Sequence, residues 1–318
     1  MRIIHIGLIL VGIQFFAFSS MMAQSRVMNG FEIKDPLIPL EEIFSGGPPR
    51  DGIPSIDDPR FVAAEKADFL LPQHQVLGLE LHGEKRAYPI LILNWHEIVN
   101  DVVGGVPVTV SYCPLCGTGT AFHRSFSGVN TTFGVSGLLY NSDLLLYDRG
   151  SESLWSQISG QAVSGPLQGE HLQDLPIEHT TWETWKKKHP RSLVLSPETG
   201  FTRDYRRSPY GDYDENGQIY FPVRFLSKAF HPKERVLGIR IGNQSKAYPF
   251  AELAKTSSPL RDTVSGKTFI IEFNPETRSG VIRDSSGMIL PSLNAFWFAW
   301  YAFYPDTLIY RAQYWKKC

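Results

Sequence analysis

Cysteine is nearly absent from this chain, with 3 in 318 residues. A fold stapled by disulfides is therefore excluded, and a chain of this length can bury the core of one large or two ordinary domains without staples. An excess of charge of either sign is missing too. Lys and Arg number 31 against 32 Asp and Glu, so the overall field favours neither nucleic acid nor an anionic membrane as partner. The basic run Lys186-Lys187-Lys188 stands beside Trp182 and Trp185 at helical spacing and reads as a solvated helix face. Long apolar runs are lacking beyond the first 25 residues: "AFWFAWYAFYP" (295–305) is too short to span a bilayer and reads as a buried core helix. No P-loop, G-x-S-x-G or H-E-x-x-H motif occurs, nor a defensible pair of catalytic carboxylates.

What is present begins with "MRIIHIGLILVGIQFFAFSSMMAQS": one early Arg, an apolar stretch from Ile3 to Phe18, then small and polar residues. This is the pattern of a secretory signal peptide over residues 1–24, and it predicts a periplasmic or secreted protein with no stable membrane span after cleavage. No Cys lies near Ala23 to Ser25, so a lipid anchor is not expected. In an oxidising compartment, thiols three residues apart persist when paired, bound to metal or cycled by a reductase. Two of the three cysteines are so spaced, in "SYCPLCGTG" (111–119), and the third, Cys318, is the last residue.

The chain also repeats itself. "VLGLELHGEKRAYP" (76–89) matches "VLGIRIGNQSKAYP" (236–249) without a gap, and "DVVGGVPVTVSYCP" (101–114) matches "DTVSGKTFIIEFNP" (262–275). "LPIEHTTWETWKKKHPRSLVL" (175–195) matches "LPSLNAFWFAWYAFYPDTLIY" (290–310), placing Trp182 and Trp185 on Trp297 and Trp300. The first copy carries about 45 extra residues after the cysteines. Asn274 stands opposite Cys113, Thr277 opposite Cys116, and Thr256 or Ser257 opposite His96, so one copy is chemically equipped and the other stripped.

Each copy reads as a hairpin, a helix and a strand, then a W-x-x-W helix, a proline stop and a further strand. Leu91, Trp95, Ile98 and Val102 fall on one helical stripe, whereas "PVTVSYC" alternates as a strand, with Val108, Val110 and Tyr112 on one face and Thr109, Ser111 and Cys113 on the other. The expectation is an α+β fold rich in antiparallel sheet, two degenerate copies forming a pseudo-symmetric, two-lobed globule. Its parts would be an extended N-terminal arm (25–68), a first repeat with the insert and the cysteines (69–200), a linker (201–235) and a second repeat (236–318).

The C-P-x-C-G pattern suits a metal knuckle, in which Pro fixes one φ, Gly accepts a conformation other residues resist, and backbone N–H groups point at the first thiolate. Thioredoxin-like chemistry would need the motif at the first turn of a helix, and "GTGTAF" is poor helix material. Zinc ribbons use two knuckles and this chain has one, so other ligands must complete the set. His96 in "NWHEIVND" is the first candidate, since helical side chains lean toward Cys113 from there; Glu97, His123 and Cys318 are alternatives. Two thiolates and an imidazole suit copper or zinc. The insert supplies Tyr140, Asn141, Asp143, Arg149, Trp155 and Gln157 as candidates to roof a pocket and orient a ligand there. The run with Arg203, Asp204, Arg206, Arg207 and Tyr210 reads as a solvated loop that could close the same cleft.

The strings "SGGPPRDGIPSIDDPRF", "NWHEIVND", "VTVSYCPLCGTGTAF", "FGVSGLLYNSDLLLYDR", "SLWSQ" and "TGFTRDY" together resemble the domain-of-unknown-function family 3179 of exported bacterial and archaeal proteins, from about Gly46 to Tyr310. The resemblance implies that His96, Cys113 and Cys116 belong to the family's pattern, and it assigns no activity. The expected function is an exported metalloprotein with one Cys2His-type site for copper or zinc, open to redox chemistry. A thiol-disulfide oxidoreductase using Cys113 and Cys116, or a binding module for a small molecule, are the alternatives.

Overall fold

The computed structural model describes residues 25–126 and 129–312. Residues 1–24, read above as a signal peptide, and Cys318 lie outside the described residues.

Strand accounts for 42 % of the chain and helix for 11 %. The α+β, two-lobed expectation is thereby overturned: five sheets of three to five strands stand in a propeller-like arrangement. Among the described residues the α-helices are α1 (Ile90–His96), α2 (Trp182–Lys188), α3 (Phe250–Leu253) and α4 (Trp297–Phe303), none longer than two turns.

Two of the five sheets share one strand order. Ile177–Thr181, Gln75–Leu81, Glu84–Pro89 and Leu193–Leu195 lie side by side, with Phe61–Ala63 added at the edge. Leu293–Phe296, Arg235–Ile241, Gln244–Pro249 and Leu308–Ile309 repeat the order. In each sheet a glycine lets an indole lie on the strand: a Cβ at Gly78 would fall 2.1 Å from the Trp185 ring, and one at Gly238 2.1 Å from the Trp300 ring. Trp185 Nε1 donates to Ser192 Oγ and Trp300 Nε1 to Thr307 Oγ1, which holds both rings in place. The aligned aspartates serve the sheets as well. Asp101 takes Arg86 and the Tyr88 hydroxyl, while Asp262 takes Lys246.

Two three-stranded antiparallel sheets also correspond: Ile98–Val103, Val106–Cys113 and Thr118–His123, and then Leu260–Val264, Lys267–Asn274 and Ser279–Arg283. Separate lobes do not form because the segments cross. Ile177–Thr181 packs on Ser279–Arg283, and Leu293–Phe296 packs on Thr118–His123. Each half thus covers an apolar face of the other, which neither could leave in water.

The stripe expected on a long helix is broken. Helix α1 ends at His96, Glu97 turns left-handed at φ 57, and the β-branched run that follows becomes the strand Ile98–Val103 with Val102 exposed. The N-terminal arm is sheet-forming rather than loose. Ile43–Ser45 pairs with Phe133–Tyr140, Phe61–Ala63 pairs with Leu193–Leu195, and Ile56 bridges to Val99. Open strand edges attract such segments because their N–H and C=O groups need partners.

The insert builds the fifth sheet: Ala162–Ser164, Leu154–Ser156, Asp143–Asp148, Phe133–Tyr140 and Ile43–Ser45. Its central hairpin turns at Asn141 and Ser142, both at positive φ (53° and 64°). Two such residues between paired strands make the tight turn whose twist matches the strands.

Candidate metal centre

The cysteine segment is itself a tight hairpin connection. The strand Val106–Cys113 pairs with Thr118–His123 so that Cys113 lies opposite Thr118, and Pro114-Leu115-Cys116-Gly117 makes the turn. Gly117 takes φ 62, and a Cβ there would sit 2.9 Å from the Phe296 ring, so both backbone and neighbour require glycine. The N–H of Cys116 interacts with Cys113 as in a knuckle. In the corresponding turn of the other half, Asn274 Oδ1 accepts from the N–H groups of Glu276 and Thr277, so an amide oxygen does there what the sulfur does here.

The tip of the insert's hairpin faces this turn. Cys113 Sγ, Cys116 Sγ and a carboxylate oxygen of Asp143 lie within 4.8 Å of one another, and all three residues are buried. Both cysteines are free, at 2 % and 0 % exposure. The Ser142 carbonyl accepts from Cys116 Sγ at 3.3 Å and lies 3.9 Å from Cys113 Sγ. Asp143 Oδ2 accepts the Ile158 N–H at 3.0 Å, whereas Oδ1 has no hydrogen-bond partner. Burial pushes the Asp143 carboxyl up to about 7, moves Cys113 up and raises Cys116 well above the ordinary thiol range. Burial thus disfavours the charged form of all three groups, which lie closed to water.

Around it stand further groups in the same condition. Lys233 is 6 % exposed, its ammonium lies on the Tyr213 ring at 2.9 Å from the centroid, and Nζ has no hydrogen-bond partner. Burial lowers Lys233 to about 8, and the two cysteines pull in the opposite direction. The Tyr213 hydroxyl, Ser142 Oγ and Gln157 Oε1 are likewise buried and unpartnered. Buried polar groups are ordinarily satisfied, so a cluster of exceptions calls for an explanation such as an ion or ordered water.

His96 does not join the sulfurs. Its Nδ1–H donates to the Pro54 carbonyl at 2.8 Å, which leaves Nε2 to accept the Tyr205 hydroxyl at 2.7 Å, so the lone pair a metal would need is engaged. Where an imidazole was expected beside the sulfurs, the Asp143 carboxylate stands. Glu97, the neighbour of His96, does come near Cys113, and its Oε1 accepts from Tyr210. His123 sits opposite Val108, at the far end of the strand pair from Cys113.

The other insert residues divide. Gln157 joins the site's periphery, donating to Ser111 Oγ and the Thr118 carbonyl at 3.2 Å each. Asn141 caps the irregular segment by accepting the Arg224 N–H at 2.8 Å. Arg149 ties down the arm through Ser55 and Asp57, Trp155 donates to Asp148 Oδ2 in the core, and Tyr140 packs on Phe303. These three hold the frame and form no part of the sulfur site.

The run between the halves is more than a solvated loop. Residues 199–231 strap across the cysteine turn: Tyr205 bonds His96, Trp95 Nε1 donates to the Arg207 carbonyl, Tyr210 donates to Glu97, and Trp297 Nε1 donates to the Ser227 carbonyl. Tyr213, Phe221 and Val223 pack with the buried cysteines. Sequence reasoning missed Tyr213 and Lys233; an aromatic-rich "YGDYDENGQIYFPVRF" (210–225) in a supposed linker was the available signal.

Among the described residues no helix is long and apolar enough to cross a membrane. No curated protein and no solved structure matches the chain. A family model described as a protein of unknown function, DUF3179, matches residues 50–289, a span that takes in the cysteine turn, the insert and the strap. By that match over most of its length, the chain belongs to the DUF3179 family.

Proposed function

We propose that this protein is an exported metalloprotein that holds one divalent transition-metal ion, zinc(II) foremost, on Cys113, Cys116 and Asp143. The observation that carries the reading is the buried Asp143 carboxylate, with one oxygen unpartnered, set within 4.8 Å of two free thiols. A cation would satisfy that oxygen and stabilise both thiolates, which burial otherwise disfavours. Charge supports a divalent ion: two thiolates and a carboxylate are balanced by a dication together with the buried Lys233 ammonium. Ligand chemistry supports zinc over copper, since a carboxylate now stands where an imidazole was expected; Zn²⁺ accepts mixed S and O ligands, whereas Cu(I) favours soft donors. Three protein ligands would leave a position for water or a substrate.

Thiol-disulfide exchange with a partner protein is less well supported, because both sulfurs are buried, their thiolates are disfavoured, and the turn leads into a strand. Export is supported by the pattern of residues 1–24.

The test is metal analysis of anaerobically purified protein beside a Cys113→Ser/Cys116→Ser variant and an Asp143→Asn variant. About one equivalent is expected in the wild type, none in the double variant, and at least tenfold weaker retention against a chelator in Asp143→Asn. Equal and negligible metal in all three would remove the reading.

A further inference from the structure

Beside the sulfur site lies a cavity of about 310 Å³. Leu115, between the two cysteines, and Leu144, next to Asp143, stand in its wall. The N-terminal arm contributes Ile53, the insert's hairpin Val135 and Leu139, and the strap Tyr210, Tyr220 and Phe221. A chamber of this size, built from separate parts of the chain, is of the order of those that enclose small ligands.

Its chemistry is one-sided. Among the described residues the wall is apolar and aromatic except for one carboxylic acid, Glu97, and no Lys, Arg or His lines it. Glu97 is 6 % exposed and is held at φ 57, a backbone conformation that non-glycine residues seldom adopt and that clusters at functional positions. Oε1 accepts from the Tyr210 hydroxyl at 2.9 Å. A carboxylate among Leu, Val and Phe side chains is costly unless paired. Burial accordingly raises Glu97 to about 7. An anionic ligand would add to the charge, and a neutral one would leave it uncompensated. A cation carried on an apolar body complements both the carboxylate and the wall, and the Tyr210 and Tyr220 rings favour it further.

We infer that this cavity binds a small apolar amine, its ammonium on the Glu97 carboxylate and its hydrocarbon part against Leu139, Leu144 and Phe221. The site needs no ion on Cys113, Cys116 and Asp143, so it stands or falls separately from the metal.

The test is calorimetric titration of the full chain at pH 8, chelator-treated and metal-loaded, with three probes of one length: hexylamine, 1-hexanol and hexanoate. Hexylamine should bind at least about tenfold more tightly than 1-hexanol in both states, with hexanoate weakest. Glu97→Gln should bring hexylamine down to the level of 1-hexanol, and Leu139→Trp, which fills the chamber, should remove binding of both. The inference is overturned if 1-hexanol equals or exceeds hexylamine, if hexanoate binds best, if no probe binds, or if Glu97→Gln leaves the amine unaffected. Should Glu97→Gln fail to fold, as judged by circular dichroism, the ranking of the three probes on the wild type decides.

Discussion

Asp143 is the residue on which the electrostatics of the site turn. It was legible in the sequence as part of a polar run, but as a pocket residue rather than a ligand. Linear spacing could not show that a two-residue turn at Asn141 and Ser142 would carry it to a cysteine turn some thirty positions earlier. The surroundings of His96 were hidden for the converse reason: its proximity along the chain was visible, whereas Pro54 and Tyr205, which occupy its two nitrogens, lie far away in sequence. The Asp143 environment has a consequence for the metal-free chain. Burial holds the carboxyl at about 7 in the folded state, against an ordinary 3.8 when unfolded, so the native state binds this proton more tightly. The resulting stabilisation is complete below about pH 4 and is lost as the pH rises toward 7, and the raised Glu97 acts in the same sense. Comparing chelated wild type with chelated Asp143→Asn removes the groups common to both, among them His96 and His179, which burial lowers and which act in the opposite sense. By denaturant titration, wild-type stability should fall relative to that of the variant by a few kcal/mol, as an order of magnitude, across that window. A difference between the two that does not change with pH, or that grows in favour of the wild type, would contradict this account of the residue.

At the level of elements, the strand ending at Cys113 was legible from its alternation. Val108, Val110 and Tyr112 enter one core cluster, while Cys113 joins another. The helix before it was read too long, because the stripe through Ile98 and Val102 ignored the β-branched residues that favour a strand once Glu97 breaks the helix. The W-x-x-W helices were recognisable, but not the reason for their second tryptophan. Trp185 lies flat on Gly78 in a strand hydrogen-bonded on both sides, and its indole N–H is fixed by Ser192. Neither partner can retreat, so Gly78→Ala should destabilise the protein by about 1–3 kcal/mol through overpacking, measured by thermal or denaturant unfolding. Adding Trp185→Leu to Gly78→Ala should cost less than the sum of the two single changes, because the clash is gone. Strict additivity would mean that the ring does not press on the strand.

For the whole molecule, the correspondence between the two stretches of sequence was plain, yet their mutual arrangement was not. Similar strings predict similar local units, but which strand covers which sheet depends on contacts such as Ile177–Thr181 on Ser279–Arg283, for which sequence offers no periodicity. Similarly, the segment read as a linker carries the aromatic side chains that close the site from above. The proposed ion position is thereby assembled from the cysteine turn of the first half, the hairpin that this half alone contains, Tyr213 from the strap and Lys233 just beyond it, all away from water. X-ray absorption at the metal edge of the purified, metal-bearing protein examines that assembly most directly. It should record two sulfur neighbours at about 2.3 Å and an oxygen neighbour at about 2.0–2.2 Å, the latter altered in Asp143→Asn. A spectrum with imidazole scattering, without sulfur, or identical in Asp143→Asn would contradict it.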